Sequence, residues 1–316
     1  MSGTAAGPAA MSGARLEAPR LLEVADRVFA YEQPPGGWCV NNAGILADGD
    51  GVVVIDTAAT EARARRLRQA VDRLGAGPRR VLVNTHSHGD HTFGNHLFGQ
   101  AATIIAHENA RAEMRATGLA LTALWPDTRW GRIAVTPPVL TVSDGLTVHV
   151  GDRSARLLPV GPAHTTGDLA VWLPDDRVLF AGDLLMSGCT PFHLFGSISG
   201  GLAAIDRLRA LNPRTVICGH GPLAGPEVLD RCASYLRWVQ RLAASAHAAG
   251  LTPLAAAREA DLGPFADLLD PERLVGNLHR AYAELDGGEV ARPLDAAGIF
   301  AEMVAFNGGK LPACLA

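Results

Sequence analysis

His86-Ser87-His88-Gly89-Asp90-His91 sets four residues able to bind a metal within six positions, in the pattern H-x-H-x-D-H. The stretch follows Val81-Leu82-Val83-Asn84-Thr85, an apolar run with a polar end that reads as a buried strand. If the strand stays extended, His86 and His88 project to one side, because strand side chains alternate with period two. Gly89 then lets the chain turn, and Asp90 and His91 approach from another direction. Two imidazoles for one cation, then a carboxylate and an imidazole for a second, is a layout for two metals.

The surrounding sequence alternates short apolar strands with helices. Val40–Ala47 and Val52–Asp56 flank Asp48-Gly49-Asp50-Gly51, a hairpin signal. Thr60–Leu74 carries Leu67, Ala70, Val71 and Leu74 on one helical face, and Glu108–Thr117 also reads as helix. Residues 118–138 contain Trp125, Trp130 and several prolines with little periodicity, a long irregular segment that fits either a binding lid or a connector. Strands follow at 140–142, 146–150, 155–160, 169–173, 178–181 and 215–218, with a helix over 200–211. Beyond Pro226 the pattern is helical, over 227–249, 253–260 and 271–285. Leu229, Leu236, Val239 and Leu242 form an apolar stripe that serves either a core or a dimer surface, so a homodimer stays open. Strands faced by helices predict a layered α/β architecture.

Composition narrows the function classes. Of 316 residues 48% are hydrophobic and 19% charged, ordinary for a globular protein. A net charge of −4 without a basic block argues against nucleic acid or an anionic membrane as partner. Residues 1–19, rich in Ala, Gly, Ser and Pro, read as a disordered leader without a signal-peptide core. Cys39, Cys189, Cys218, Cys232 and Cys314 are scattered, with no C-x-x-C pair, and point to free thiols in a reducing cytoplasm. The wealth of Ala, Arg, Gly and Pro is compatible with a GC-rich bacterial genome.

Three further residues repeat the theme of a polar side chain just after an apolar strand. His164 lies in Gly161-Pro162-Ala163-His164-Thr165-Thr166-Gly167-Asp168, Asp183 closes Val178-Leu179-Phe180-Ala181-Gly182-Asp183, and His220 lies in Cys218-Gly219-His220-Gly221-Pro222. Singly, each reads as a hydrogen-bonded structural residue or a turn cap. Together with H-x-H-x-D-H, five histidines and two aspartates complete two cation shells. Such ligands suit zinc, and also iron or manganese.

In this order, and with Asp56 closing Val52-Val53-Val54-Ile55-Asp56, the motifs resemble the metallo-β-lactamase superfamily over about residues 27–222. The resemblance implies a four-layer αβ/βα sandwich with a dinuclear centre at one edge. Residues 20–224 would form that domain, and 225–316 a C-terminal helical extension packed on it. His86, His88 and His164 would hold the first metal, and Asp90, His91 and His220 the second. Asp183 would bridge them, and Asp56 would hydrogen-bond the ligand loop from behind. Asp rather than Cys at 183 is similar to glyoxalase II and lactonase-type sites. His rather than Glu at 88 disfavours a flavodiiron centre, and the lack of an insert after 183 disfavours RNA processing. The tail lacks the cationic patch that glutathione thioesters would need.

The implied chemistry is hydrolysis of an ester, thioester, lactone or amide in a small organic substrate. Two zinc ions lower the pKa of bound water from about 15.7 toward about 7, so that metal-bound hydroxide attacks. Asp90 and Asp183 are the catalytic candidates, Asp90 by orienting the hydroxide or moving its proton. Trp38, His193 and Phe195 are candidate substrate contacts, with Trp125 and Trp130 beside them, and His279 with Tyr282 is a weaker pair. Two alternatives remain: a metal-dependent cyclase or dehydratase, and a mono-iron oxidoreductase similar to persulfide dioxygenases.

Overall fold

A computed structural model describes residues 17–75, 77–99 and 101–316, so the leader reading for 1–19 falls mostly outside the described residues. Seven strands form the first sheet in sequence order: β1 (Arg20–Ala25), β2 (Val28–Glu32), β3 (Ala43–Asp48), β4 (Gly51–Ile55), β5 (Arg79–Val83), β6 (Thr103–His107) and β7 (Leu140–Val142). The second contains β8 (Leu146–Val150), β9 (Arg153–Pro159), β10 (Leu169–Leu173), β11 (Val178–Met186) and β12 (Thr215–His220), in the order β12-β11-β10-β9-β8. Helices α1 (Glu61–Arg73), α2 (Gly89–Thr92) and α3 (Glu108–Thr117) belong to the first half. The second half supplies α4 (Ile198–Ala210), α5 (Glu227–Ala248), α6 (Pro253–Glu259), α7 (Arg273–Leu285) and α8 (Ala296–Phe306).

β3 and β4 are the predicted hairpin, with Asp48 paired to Gly51 around a two-residue turn. From β4 to β7 the pairing is parallel, and β11 pairs β12 in parallel, each requiring a crossover. Strand β4 is buried along its whole length, which is why it reads as a continuous Val-Val-Val-Ile run rather than an alternation.

Apolar clusters define four layers. Val53, Ile55, Val83 and Ile105 of the first sheet meet Leu157, Val171, Phe180 and Ile217 of the second. On the far side of the first sheet, Val52, Val54 and Leu82 receive Leu67, Ala70 and Val71 of α1, the face predicted from helical spacing. Thr60 caps that helix by accepting from Arg63 N. The outer face of the second sheet is covered by α4, α5 and α7 within one cluster that extends to Phe300 and Met303 of α8. This is the expected αβ/βα sandwich with C-terminal helices.

Several local expectations are corrected. Leu229, Leu236 and Val239 are buried in that same cluster, with Leu242 packed against it, so of the two readings left open for the stripe the core one holds. Strand β5 ends at Val83, and residues 85–87 bend rather than continue extended. Val40–Asn42 lies outside β3, where Cys39 takes a left-handed φ of 63°. Helix α4 begins two residues early because Ser197 accepts from Gly200 N as its cap. Asp183 lies inside β11 instead of after it. There the β11–β12 register shifts, and Gly182 takes φ 55°. Among the described residues no helix is long and apolar enough to cross a membrane.

Candidate metal centre

Asp56, His86 and His220 come to one edge of the sandwich because β4, β5 and β12 end there, and Asp183 joins them from within β11 at its register shift against β12. The bend after Thr85 brings the His86 and His88 rings to 4.8 Å between centroids, close to edge-on. Gly89 starts α2 and is needed for space rather than for turning. A Cβ there would meet the Phe93 ring at 2.3 Å. Asp168 shapes the His164 loop by accepting from the backbone nitrogens of Ala163, His164 and Thr165 at 2.7–3.2 Å. On β12, Gly219 passes so close that a Cβ would lie 1.9 Å from Asp183 Oδ1, which explains the glycine beside His220.

Two groups of potential ligand atoms result: His86, His88, His164 and Asp183, and beside them Asp90, His91 and His220. His88 Nδ1 lies 2.9 Å from His164 Nε2. Asp183 Oδ2 is 3.8 Å from His86 Nε2, 3.5 Å from His164 Nε2 and 3.3 Å from His220 Nε2. Its Oδ1 is 3.0 Å from His91 Nε2, and Asp90 Oδ2 is 3.2 Å from His220 Nε2. One carboxylate therefore touches both groups.

The imidazoles are held from behind. Asp56 Oδ1 accepts from Thr85 N at 2.7 Å, and its Oδ2 accepts from Thr85 Oγ1 at 2.7 Å and from His91 Nδ1 at 2.8 Å. Thr85 Oγ1, 3.0 Å from His86 Nδ1, is then free to accept from that ring. His164 Nδ1 donates to the carbonyl of Phe192. In all three rings Nδ1 carries the proton and Nε2 faces the cluster, the arrangement by which outer contacts fix a ligand's tautomer.

Charge divides the two groups. Burial, with the neighbouring imidazoles, holds His86 and His164 well below the ordinary histidine range, and burial also lowers His88. Burial opposes charge on His91 and His220 as well. Even so, Asp183 with Asp56 carries His91 well up, and Asp183 with Asp90 carries His220 up to about 9. Burial works to raise Asp90, but His91 and His220 take it down to about 2. The first group is thus neutral imidazole around a carboxylate, and the second is a set of imidazolium–carboxylate pairs.

These residues fit divalent cations. His86 Nε2 is buried without a hydrogen-bond partner among the described residues, its nearest carboxylate oxygen 3.8 Å away, a cost that a cation would remove. Ligand atoms about 2.1 Å from a tetrahedral ion stand about 3.4 Å apart, and the separations of 2.9–3.8 Å around Asp183 and His164 bracket that figure.

An aromatic cavity of about 60 Å³ lies over the cluster, walled by Trp38, Phe93, Trp125, Phe192, Phe195 and Phe300. Trp38 is set by the start of α7: its Nε1 donates to Glu272 at 2.7 Å, and the Arg273 guanidinium lies 4.2 Å from its ring centroid. Trp38 and Phe195 line this cavity, as do Trp125 and Trp130 of the 118–138 segment. His193 does not. Its ring is fully buried behind His164, 6.2 Å between centroids, and donates to the Ala163 carbonyl at 2.9 Å. His279 pairs with Glu302, while Tyr282 bonds the Leu251 carbonyl, and neither lines the cavity. Thr85, Glu113 and Arg273 were missed. Thr85 stands directly before His86 and could have been found as part of the motif. Glu113 and Arg273 look like ordinary helix-surface charges.

Comparison with known proteins agrees with the geometry. The family model for the metallo-beta-lactamase superfamily matches residues 36–220. A hydroxyacylglutathione hydrolase from Methylococcus capsulatus is 36% identical over 144 residues, 44% of this chain and 47% of that protein. The acyl-coenzyme A thioesterase MBLAC2 of Bos taurus is 30% identical over 187 residues, 53% of this chain and 66% of that protein. The chain thus spans about half to two thirds of the length of these curated relatives. A solved metallo-beta-lactamase from Pontibacter korlensis superposes with a TM-score of 0.56 at 20% identity, covering 70% of this chain and 99% of that one, a likeness of fold.

Proposed function

The chain belongs to the metallo-beta-lactamase superfamily, and on that premise we propose that it is a dinuclear-metal hydrolase acting on an ester, thioester, lactone or amide of a small organic substrate. The observation that carries this reading is Asp183, whose two oxygens reach His86 and His164 on one side and His91 and His220 on the other. A bridging carboxylate between two complete donor sets exceeds what one structural ion needs. It also favours two metals over the mono-iron alternative, which leaves Asp90, His91 and His220 without a task.

His86, His88 and His164 would hold the first cation, Asp90, His91 and His220 the second, with Asp183 shared and zinc as the metal that suits this donor set. Two such cations supply Lewis acidity, activating water and polarising the scissile carbonyl. The protein contributes the rest. Asp56, through Thr85 and directly, keeps His86 and His91 in one tautomer and orientation. Asp90, part-exposed and lining the cavity, would help to orient the attacking water or move its proton. The aromatic walls around Trp38 and Trp125 exclude bulk water, which strengthens every electrostatic contact inside.

The relatives support the reaction class, since one is named a thioesterase and another a hydroxyacylglutathione hydrolase. All five cysteines are unpaired, which supports a reducing cytoplasm as the working compartment. Residues 20–224 are proposed as the catalytic domain and 225–316 as an extension that completes the site through Glu272 and Arg273. Elemental analysis with a panel of chromogenic esters, thioesters, lactones and a β-lactam tests the reading. About two zinc ions per chain are expected, with turnover lost on chelation and in His88→Ala and Asp183→Ala. Full activity in metal-free protein would refute it.

A further inference from the structure

A second cavity, about 330 Å³, opens beside the metal centre and shares His88, Gly89, Phe93, Leu121 and Phe195 with the aromatic one. It is assembled from distant stretches: the ligand loop with α2, α3, the 118–138 segment, Leu194 with Phe195, and the chain between α7 and α8. Its wall is dominated by Phe93, Met114, Leu121, Val135, Phe195 and Leu294.

Two charged side chains border it, Arg280 and Glu113, and both are tied to neighbouring parts of the protein. Arg280 is 2% exposed and gives Nε and Nη2 to the Leu194 carbonyl at 3.0 and 2.7 Å, with a further bond from Nη2 to the Arg292 carbonyl. Glu113 accepts from Ser87 Oγ and from Thr166 N and Oγ1. The Arg280 guanidinium keeps its charge, since the partners it bonds are neutral carbonyls, yet it is nearly sealed from solvent, and an anion seated in the chamber would lose its hydration beside the Glu113 carboxylate. In size, the space is about twice a cavity known to take up benzene and lies at the lower end of ligand pockets.

We propose that this chamber is a subsite for an uncharged apolar group of the substrate, a fused two-ring system or a medium alkyl chain. Resting on the hydrolase reading, the chamber seats that group with the scissile bond at His88, where the two cavities meet. The 118–138 segment then acts as a wall of the binding site, since Leu121 and Val135 line the chamber and Trp125 and Trp130 the metal side.

The test separates binding from turnover. 2-Acetylnaphthalene, an uncharged ketone that cannot be hydrolysed, is titrated into the full chain, with and without zinc, alongside its 6-sulfonate. The neutral probe should bind saturably and about tenfold or more tighter than the sulfonate. Leu294→Trp and Val135→Trp, from opposite walls, should each weaken it by about tenfold through lost space. Val135 is 36% exposed, so its variant folds even if the more enclosed Leu294 site does not tolerate the ring. In a phenyl ester series, octanoyl or 2-naphthoyl should exceed succinyl in kcat/KM by about tenfold, and that ratio should fall in both variants. Equal or tighter binding of the sulfonate, or unchanged neutral binding in both variants, overturns the chamber and leaves the hydrolase reading standing. Neutral binding weakened in both variants, with no turnover of any ester, thioester, lactone or amide by the zinc-loaded chain, supports the chamber and overturns the hydrolase reading.

Discussion

Asp56 Oδ2 lies 2.8 Å from His91 Nδ1, and both side chains are sealed from solvent. The carboxylate is therefore spent on orientation, presenting His91 Nε2 to Asp183 while Thr85 relays the same restraint to His86. Asp56→Ala removes both restraints together and leaves His91 Nδ1 without a buried acceptor. The expected outcome is a loss of metal affinity of about 10–100-fold, read by competition with a chromophoric chelator. Wild-type affinity in this variant would show that Asp56 serves packing alone.

The protonation pattern gives a pH dependence with a definite sign. In metal-free protein His220 is held up at about 9 against the burial that opposes its charge. A histidine raised in the folded state contributes stability that is full below its unfolded pKa of about 6.5 and is lost as pH rises through about 9. Asp90, taken down to about 2, contributes stability present above about 3.8 and lost as pH falls toward 2. Metal-free protein should therefore melt several degrees lower at pH 9.5 than at pH 7.5, a window above the one in which the lowered His86, His88 and His164 would titrate in the unfolded chain, and His220→Ala should flatten that slope. Zinc uptake at pH 7 should release protons, because His91 and His220 must deprotonate to bind, and calorimetry in buffers of different ionisation enthalpy measures the release. Uptake without proton release would contradict the imidazolium–carboxylate pairing.

The site was legible to unequal depths for physical reasons. H-x-H-x-D-H, His164, Asp183 and His220 announce themselves because ligand chemistry restricts residue type, and the flanking glycines mark backbones that must pass closely, as Gly219 does beside Asp183. Strand positions were read from apolar runs, yet the place of Asp183 within β11 depends on a register shift against β12 that no local pattern encodes. His193 looked like a site residue because it follows Asp183 closely. Its direction is set instead by Ala163 and Asn277, partners distant in sequence. Arg273 and Glu113 were invisible for the opposite reason, being helix charges whose partners come from other parts of the fold.

Arg273 shows what the C-terminal helices add. It is 1% exposed, paired with Asp270 at 3.0 Å, bonded to the Thr190 carbonyl and stacked on Trp38. Burial pushes the Asp270 carboxyl up to about 6 even with this partner beside it. Arg273→Met strips a buried carboxylate of its cation and should cost about 3–5 kcal/mol in urea unfolding. Trp38 fluorescence should shift with it, as the cation leaves the ring face. A cost below about 1 kcal/mol, the range of an exposed pair, would mean that Asp270 is solvated in solution.

Glu113 ties together the two loops that carry the first ligand group. Its Oε2 accepts from Ser87 Oγ at 2.6 Å, between His86 and His88, and its Oε1 accepts from Thr166 N at 3.3 Å and from Thr166 Oγ1, two residues beyond His164. Because Ser87 and Thr166 are bonded to the same carboxylate, the spacing of the three imidazoles depends on it. Glu113→Ala should weaken the first site by about tenfold while leaving the second nearly intact, resolved as a change in one phase of a cobalt titration. Glu113→Gln, which keeps one acceptor oxygen, should lose less. Since Glu113 acts on ligand spacing, excess metal should restore most of the turnover lost at limiting metal. If turnover stays low at saturating metal while both cobalt phases are unchanged, Glu113 acts on the substrate instead of the ligand loops.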